Sequence, residues 1–285
     1  MSQRYLTVFT ALRAALVVNL LIWGVIAPTP GRAKPLRVQT ISVDTTWSTD
    51  QQLTSDVVIT SGATLTIEDI VVTAAATDPA PYPGGTSAKI ELIVESGGTL
   101  NVEPGAELTA AQAGDWGGVV FLPNSAGTLR GATIRRADKG VTIQTSSPTI
   151  DGNTIAEIQG AAGALAGEDG QITVGIAALG TGTPQITDNV IEDLVAGAGA
   201  AGLKGADSAF SGGAAGDGTV GGSGGDVFGI YVVGGSVPTI TGNKIRRLTA
   251  GDGGDGGQGG NGLGCALDKG GAPGGDGADG AEGGD

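Results

Sequence analysis

The chain has 285 residues, 40% hydrophobic but only 4% aromatic, so a packed core is available and must be built from Val, Ile, Leu and Ala. Fifteen basic residues against 29 acidic ones give a net charge of -14, which excludes nucleic-acid binding through clustered Lys and Arg and simple electrostatic adhesion to anionic membranes. With no histidine and one cysteine, Cys265, the chain also lacks histidine-based triads, most zinc or iron sites and an internal disulfide.

At the N-terminus, Arg4 and Arg13 flank or precede an apolar run from Ala14 to Ala27, interrupted only by Asn19. Pro28, Pro30 and Gly31 then stop any helix before the small residue Ala33. This order predicts a cleaved secretory signal over residues 1–33, with an uncleaved anchor as the alternative. Those 33 residues hold three arginines and no acid, so 12 basic residues face 29 acidic ones in the remainder, a net charge of -17. The expected location is secreted or at the cell surface, with no membrane insertion after signal removal. An acidic surface keeps such a protein soluble.

Residues 34–250 are organised by repeats. Gly62-Ala-Thr-Leu-Thr-Ile-Glu68 and Gly97-Gly-Thr-Leu-Asn-Val-Glu-Pro-Gly-Ala-Glu-Leu108 each place alternating strand formers after a turn glycine, and Pro79–Gly85 reads as a longer turn or exposed loop between them. A plain copy follows from Gly118-Val-Val-Phe through Thr128–Ile134. Three closer copies begin at Gly140, Gly175 and Gly229, and each carries Pro-x-Ile followed by Asn-x-Ile. The step from Gly118 to Gly140 is 22 residues, whereas the prolines Pro148, Pro184 and Pro238 are 36 and 54 apart. The excess falls in glycine-rich stretches near 160–174 and 197–228. No segment after residue 33 has sustained helical periodicity.

Such a repeat predicts an all-β fold, a right-handed single-stranded parallel β-helix of about seven coils with Gly-rich insertions. One coil cannot bury its apolar face alone, but stacked coils bury continuous columns of like residues. Ile150, Ile186 and Ile240 are expected in one buried column and Ile155, Ile191 and Ile245 in another. Asn153, Asn189 and Asn243 are expected to form a ladder of amides at one turn. The insertions should leave one corner together, after Gly160, Gly197 and Gly251. Residues 251–285 form a Gly/Asp-rich low-complexity segment, expected to continue into a longer chain. Its glycines fall in triplets, as in Gly253-Gly-Asp-Gly-Gly-Gln-Gly-Gly-Asn261. That period fits either ordered three-residue helices or a flexible hydrated fringe.

The strings GGTLNVEPGAEL, WGGVVFLPNSAGTLRGATI and SPTIDGNTI resemble those of right-handed β-helix repeat proteins of the pectin-lyase-like superfamily, in their bacterial secreted and surface versions. The resemblance covers residues 60–250. It implies the fold and carries no catalytic residue to this chain, because the superfamily holds lyases, other polysaccharide-active enzymes and adhesins alike.

Candidate chemistry is sparse. Arg135-Arg136, Ala156-Glu157, Glu192-Asp193 and Arg246-Arg247 follow the Asn-x-Ile column and should stack on one edge, as an ion-pair ladder or a groove for an acidic sugar. Gly221-Gly-Ser-Gly-Gly-Asp226-Val-Phe-Gly229 fits a calcium-binding nonapeptide, with a degraded copy at Gly212–Val220, which makes calcium a candidate ligand of Asp217 and Asp226. No catalytic, cofactor-binding or metal residue is assigned beyond that. No glycine string lies between a strand and a helix as a phosphate loop requires, and Cys265 has only Lys269 as a basic neighbour. The expected function is a non-catalytic scaffold binding a polysaccharide or cell-surface partner, with a carbohydrate-active enzyme as the alternative.

Overall fold

The computed structural model describes residues 38–210, 213–263 and 274–285. The predicted signal over 1–33 and Cys265 lie outside the described residues. The described residues form one compact unit, a right-handed parallel β-helix of three seven-stranded sheets. Sheet 1 runs from Gln39–Ile41 through Val57–Ile59, Glu91–Val94, Gly118–Phe121, Lys139–Gln144 and Thr173–Leu179 to Val227–Val233. Sheet 2 runs from Thr45–Trp47 to Thr239–Thr241, and sheet 3 from Gln51–Leu53 to Lys244–Thr249.

Strands pair in parallel with their equivalents one coil away, so like residues stack. In sheet 2, Leu129, Ile150, Ile186 and Ile240 share a register, and in sheet 3 Ile134, Ile155, Ile191 and Ile245 do. All of them are fully buried except the two of the last coil: Ile240 is 43% exposed and Ile245 47%. The expectation that Ile240 and Ile245 are buried is therefore corrected. Ile186 is covered by its column mate Ile240, whereas no described coil covers Ile240 itself.

The asparagine ladder is present. Asn153 and Asn189 donate their side-chain amides to Leu129 O and Ile150 O, both at 2.9 Å, and Asn243 to Ile186 O at 2.7 Å. The backbone N–H of Asn153 in turn donates to Asn189 Oδ1, and that of Asn189 to Asn243 Oδ1, both at 2.9 Å. Asn153 and Asn189 are essentially inaccessible to solvent, so each amide satisfies turn carbonyls and amides that water cannot reach.

The glycine-rich insertions are ordered. The first two leave sheet 3 and return to sheet 1, the segments 251–263 and 274–285 lie against the second, and the segments bond to one another every third residue. The amides of Gly199, Gly202, Gly205 and Ser208 donate to the carbonyls of Asp252, Asp255, Gln258 and Asn261. Gly251, Gly254, Gly257 and Gly260 donate to Gly225, Gly222, Thr219 and Gly216, and receive bonds from Gly284, Ala281, Ala278 and Gly275. A three-residue period is that of an extended left-handed helix, which makes no internal hydrogen bonds and must find partners in its neighbours. The hairpins share one corner of the solenoid because all three emerge at the same position of the repeat.

Candidate functional site

Three outward-facing features could carry function: the charged edge of sheet 3, the glycine-rich bundle and the outer face of sheet 1. On the charged edge, Arg136, Glu157, Asp193 and Arg247 all take left-handed backbone conformations, φ 53–62°, at the equivalent point of successive coils. Their side chains form a closed set of ion pairs. Arg135 contacts Glu107 at 2.6 Å, Arg136 contacts Glu157 at 2.8 Å, Arg246 contacts Glu192 at 2.5 Å, and Arg247 contacts Asp193 at 2.6 Å. Every arginine of the ladder is matched by a carboxylate, so the edge holds no surplus positive charge for an acidic sugar. The contact with Arg246 holds the Glu192 carboxyl below the usual carboxylate range.

In the bundle, Asp217 and Asp226 do not converge. Asp217 Oδ1 accepts the amide of Asp276 at 2.9 Å, and Asp226 Oδ1 accepts that of Asp285 at 3.0 Å. Asp169 and Asp207 do the same for Ser223 and Asn261. These aspartates clip one layer to the next, and no cluster of three or more potential metal ligands exists among the described residues. Exposed side chains recur on the rims at every third residue: Asp252, Asp255, Gln258 and Asn261 on one segment, and Asp276, Asp279, Glu282 and Asp285 on another.

Sheet 1 is different, because both of its faces are covered over Val57–Ile59, Glu91–Val94 and Gly118–Phe121. Val58, Ile93 and Val120 point outward and form a second apolar cluster with Val38, Tyr82 and Leu122. The loop spanning 75–90 lies over it, so Pro79–Gly85 is a covering segment. Carboxylates hold it down. Asp56 accepts the amides of Tyr82 and Glu91, both at 2.6 Å. Glu91 accepts the amide of Thr86 at 2.8 Å and its hydroxyl at 2.6 Å. Asp138 Oδ2 accepts the Ser87 hydroxyl at 2.8 Å, and Tyr82 donates its hydroxyl to Glu95. Asp56, Glu91 and Asp138 are all buried, and Asp138 Oδ1 has no partner. Burial raises the Glu91 pKa to about 7 despite the opposing bonds from Thr86, with the Asp56 and Asp138 charges adding to the rise. Burial likewise raises Asp56 to about 6, with Asp78 adding to it.

Sequence reasoning missed this cluster, although a signal was present. Val57-Val-Ile59, Leu92-Ile-Val94 and Val119-Val-Phe121 are unbroken apolar runs, and a strand that does not alternate is buried on both faces. Alternation resumes at Val141-Thr142-Ile143, where the outward residue Thr142 is polar yet still buried. A cavity of about 240 Å³ lies beside the loop, lined by Thr86, Lys139, Thr142, Ile172, Val174, Ala177, Leu179 and Tyr231.

Compared with known proteins, the chain matches no family model, no curated protein and no solved structure.

Proposed function

We propose that the chain is a non-catalytic scaffold, exported by its N-terminal segment, that holds a rigid glycine-rich bundle against a hydroxyl-rich polysaccharide at a cell surface. The observation that carries this reading is the bundle: three insertions far apart in sequence join in one hydrogen-bonded body on one corner of a stiff solenoid. Its rims repeat carboxylates and amides at every third residue, about 9 Å apart at the rise of an extended left-handed helix. Carboxylate and amide oxygens accept from sugar hydroxyls, and a preordered array loses little entropy on binding. The resemblance to secreted and surface members of the pectin-lyase-like superfamily agrees with this location and role.

Sedimentation with insoluble polysaccharides tests the reading. The wild type should co-sediment with at least one, and Asp252→Ala, Asp255→Ala, Asp279→Ala and Glu282→Ala combined should weaken that binding while leaving the circular dichroism spectrum unchanged. Binding by no polysaccharide, or binding indifferent to the four changes, overturns it.

A polysaccharide lyase or hydrolase is the second reading. Asp56 and Glu91 favour it, since their raised pKa values lie in the range of a general acid. Against it, both carboxyls are sealed beneath the 75–90 loop and occupied by its amides. New reducing or unsaturated ends released by the wild type and abolished in Glu91→Gln would establish this second reading and sink the first.

A further inference from the structure

The cavity on the outer face of sheet 1 has three properties that belong together. Its walls are apolar: Ile172, Val174, Ala177 and Leu179 surround it, and Tyr231 closes one side with its ring tilted against Phe228 at a centroid distance of 5.0 Å. Its floor carries Thr142, which is 3% exposed and whose hydroxyl has no hydrogen-bond partner. Leaving a buried hydroxyl unpaired costs free energy, so the position favours an occupant that can bond it. Its rim carries Lys139, whose ammonium has only a long contact, 3.5 Å, to Thr86 O. Among the described ion pairs, Lys139 has no carboxylate, whereas the arginines of the sheet 3 ladder all do.

We infer that this cavity is a binding site for a small aromatic carboxylate bearing a hydroxyl on its ring. The ring lies among Val174, Ala177 and Tyr231, where apolar burial and an aromatic contact favour it. The carboxylate meets Lys139, whose ammonium has no carboxylate partner among the described ion pairs. The ring hydroxyl reaches Thr142 Oγ1. Lys139 and Thr142 are three residues apart on one strand, about 10 Å between Cα atoms, and the flexible lysine stem shortens that span to the length of such a ligand. This site is separate from the bundle, so it stands or falls independently of polysaccharide binding.

The test is calorimetric titration of the full chain with 4-hydroxyphenylacetate and with phenylacetate. Saturable binding of the hydroxylated probe is expected, with a Kd on the order of 0.1–1 mM. Lys139→Met should weaken both probes by about tenfold or more. Thr142→Val should weaken only the hydroxylated one, and it should not lower the melting temperature, since it removes an unpaired hydroxyl. Ala177→Leu, which fills the cavity from a residue on its floor, should abolish both. Absence of saturable binding, or binding that survives Lys139→Met and Ala177→Leu unchanged in folded protein, overturns the inference.

Discussion

At the scale of single residues, glycine has two different uses in the bundle. A Cβ on Gly218, Gly221 or Gly224 would overlap the carbonyls of Gly257, Gly254 and Gly251, so these positions admit only hydrogen. Gly277, Gly280 and Gly283 occupy the equivalent places one layer on, and there the nearest atoms to such a Cβ are 3.4–3.8 Å away. Gly221→Ala should therefore separate two segments and cost about 1–3 kcal/mol, an overpacking penalty, whereas Gly280→Ala should be neutral or slightly stabilising. Equilibrium unfolding of the two variants side by side checks this. Similar logic applies to Asn189, which bonds the backbone of Ile150 and Asn153 in a site closed to water. Asn189→Ala strands at least two buried backbone groups and should cost about 2–5 kcal/mol. Ile186→Asp places an unpaired charge in the middle of a fully buried column and should prevent folding, seen as loss of the β-sheet circular dichroism signal.

Among the elements, the 75–90 loop is the one whose attachment depends on protonation. Asp56 and Glu91 both have folded-state pKa values raised above their ordinary ones, to about 6 and about 7. A carboxyl raised on folding binds its proton more tightly in the folded state. Its contribution is therefore complete below the unfolded pKa and is lost as pH rises through the folded one. Thermal stability should fall between about pH 4 and pH 7, and Glu91→Gln should flatten the upper part of that slope. A Glu91→Gln protein whose stability keeps the wild-type dependence between pH 5 and 8 would contradict this account. Hydrogen exchange at Tyr82 and Thr86, whose amides the two carboxyls accept, reports the same event locally.

For the whole molecule, stability is a sum over layers, because each coil contacts only those beside it. The last coil has one neighbour among the described residues. It leaves Val233, Ile240 and Ile245 at 43–47% exposed, while the equivalent residues Ile186 and Ile191 are fully buried. Opening should begin there. Amides of Lys244–Thr249 should exchange well before those of Glu107–Ala110 in the same sheet, and uniform protection along the sheet would show that the solenoid opens as a single unit.

Much of this architecture was legible in the residues themselves. A repeated Pro-x-Ile and Asn-x-Ile spacing fixes which side chains stack, since in a parallel coil register follows from counting residues between turns. The ladder of Asn153, Asn189 and Asn243 and the shared exit corner of the insertions follow from that count alone. Three things did not follow. Burial of Ile240 depends on what lies above it, which no property of its own coil encodes. The glycine triplets of 197–226 and 251–285 are compatible with order and with disorder alike, because an extended left-handed helix has no hydrogen bonds of its own; only the partners brought by the stacked hairpins satisfy its amides. Asp56, Glu91 and Asp138 are 35 and 47 residues apart along the chain and share no motif. The winding of sheet 1 and the loop laid across it bring them together, and burial, a property of the assembled fold, sets their proton affinity.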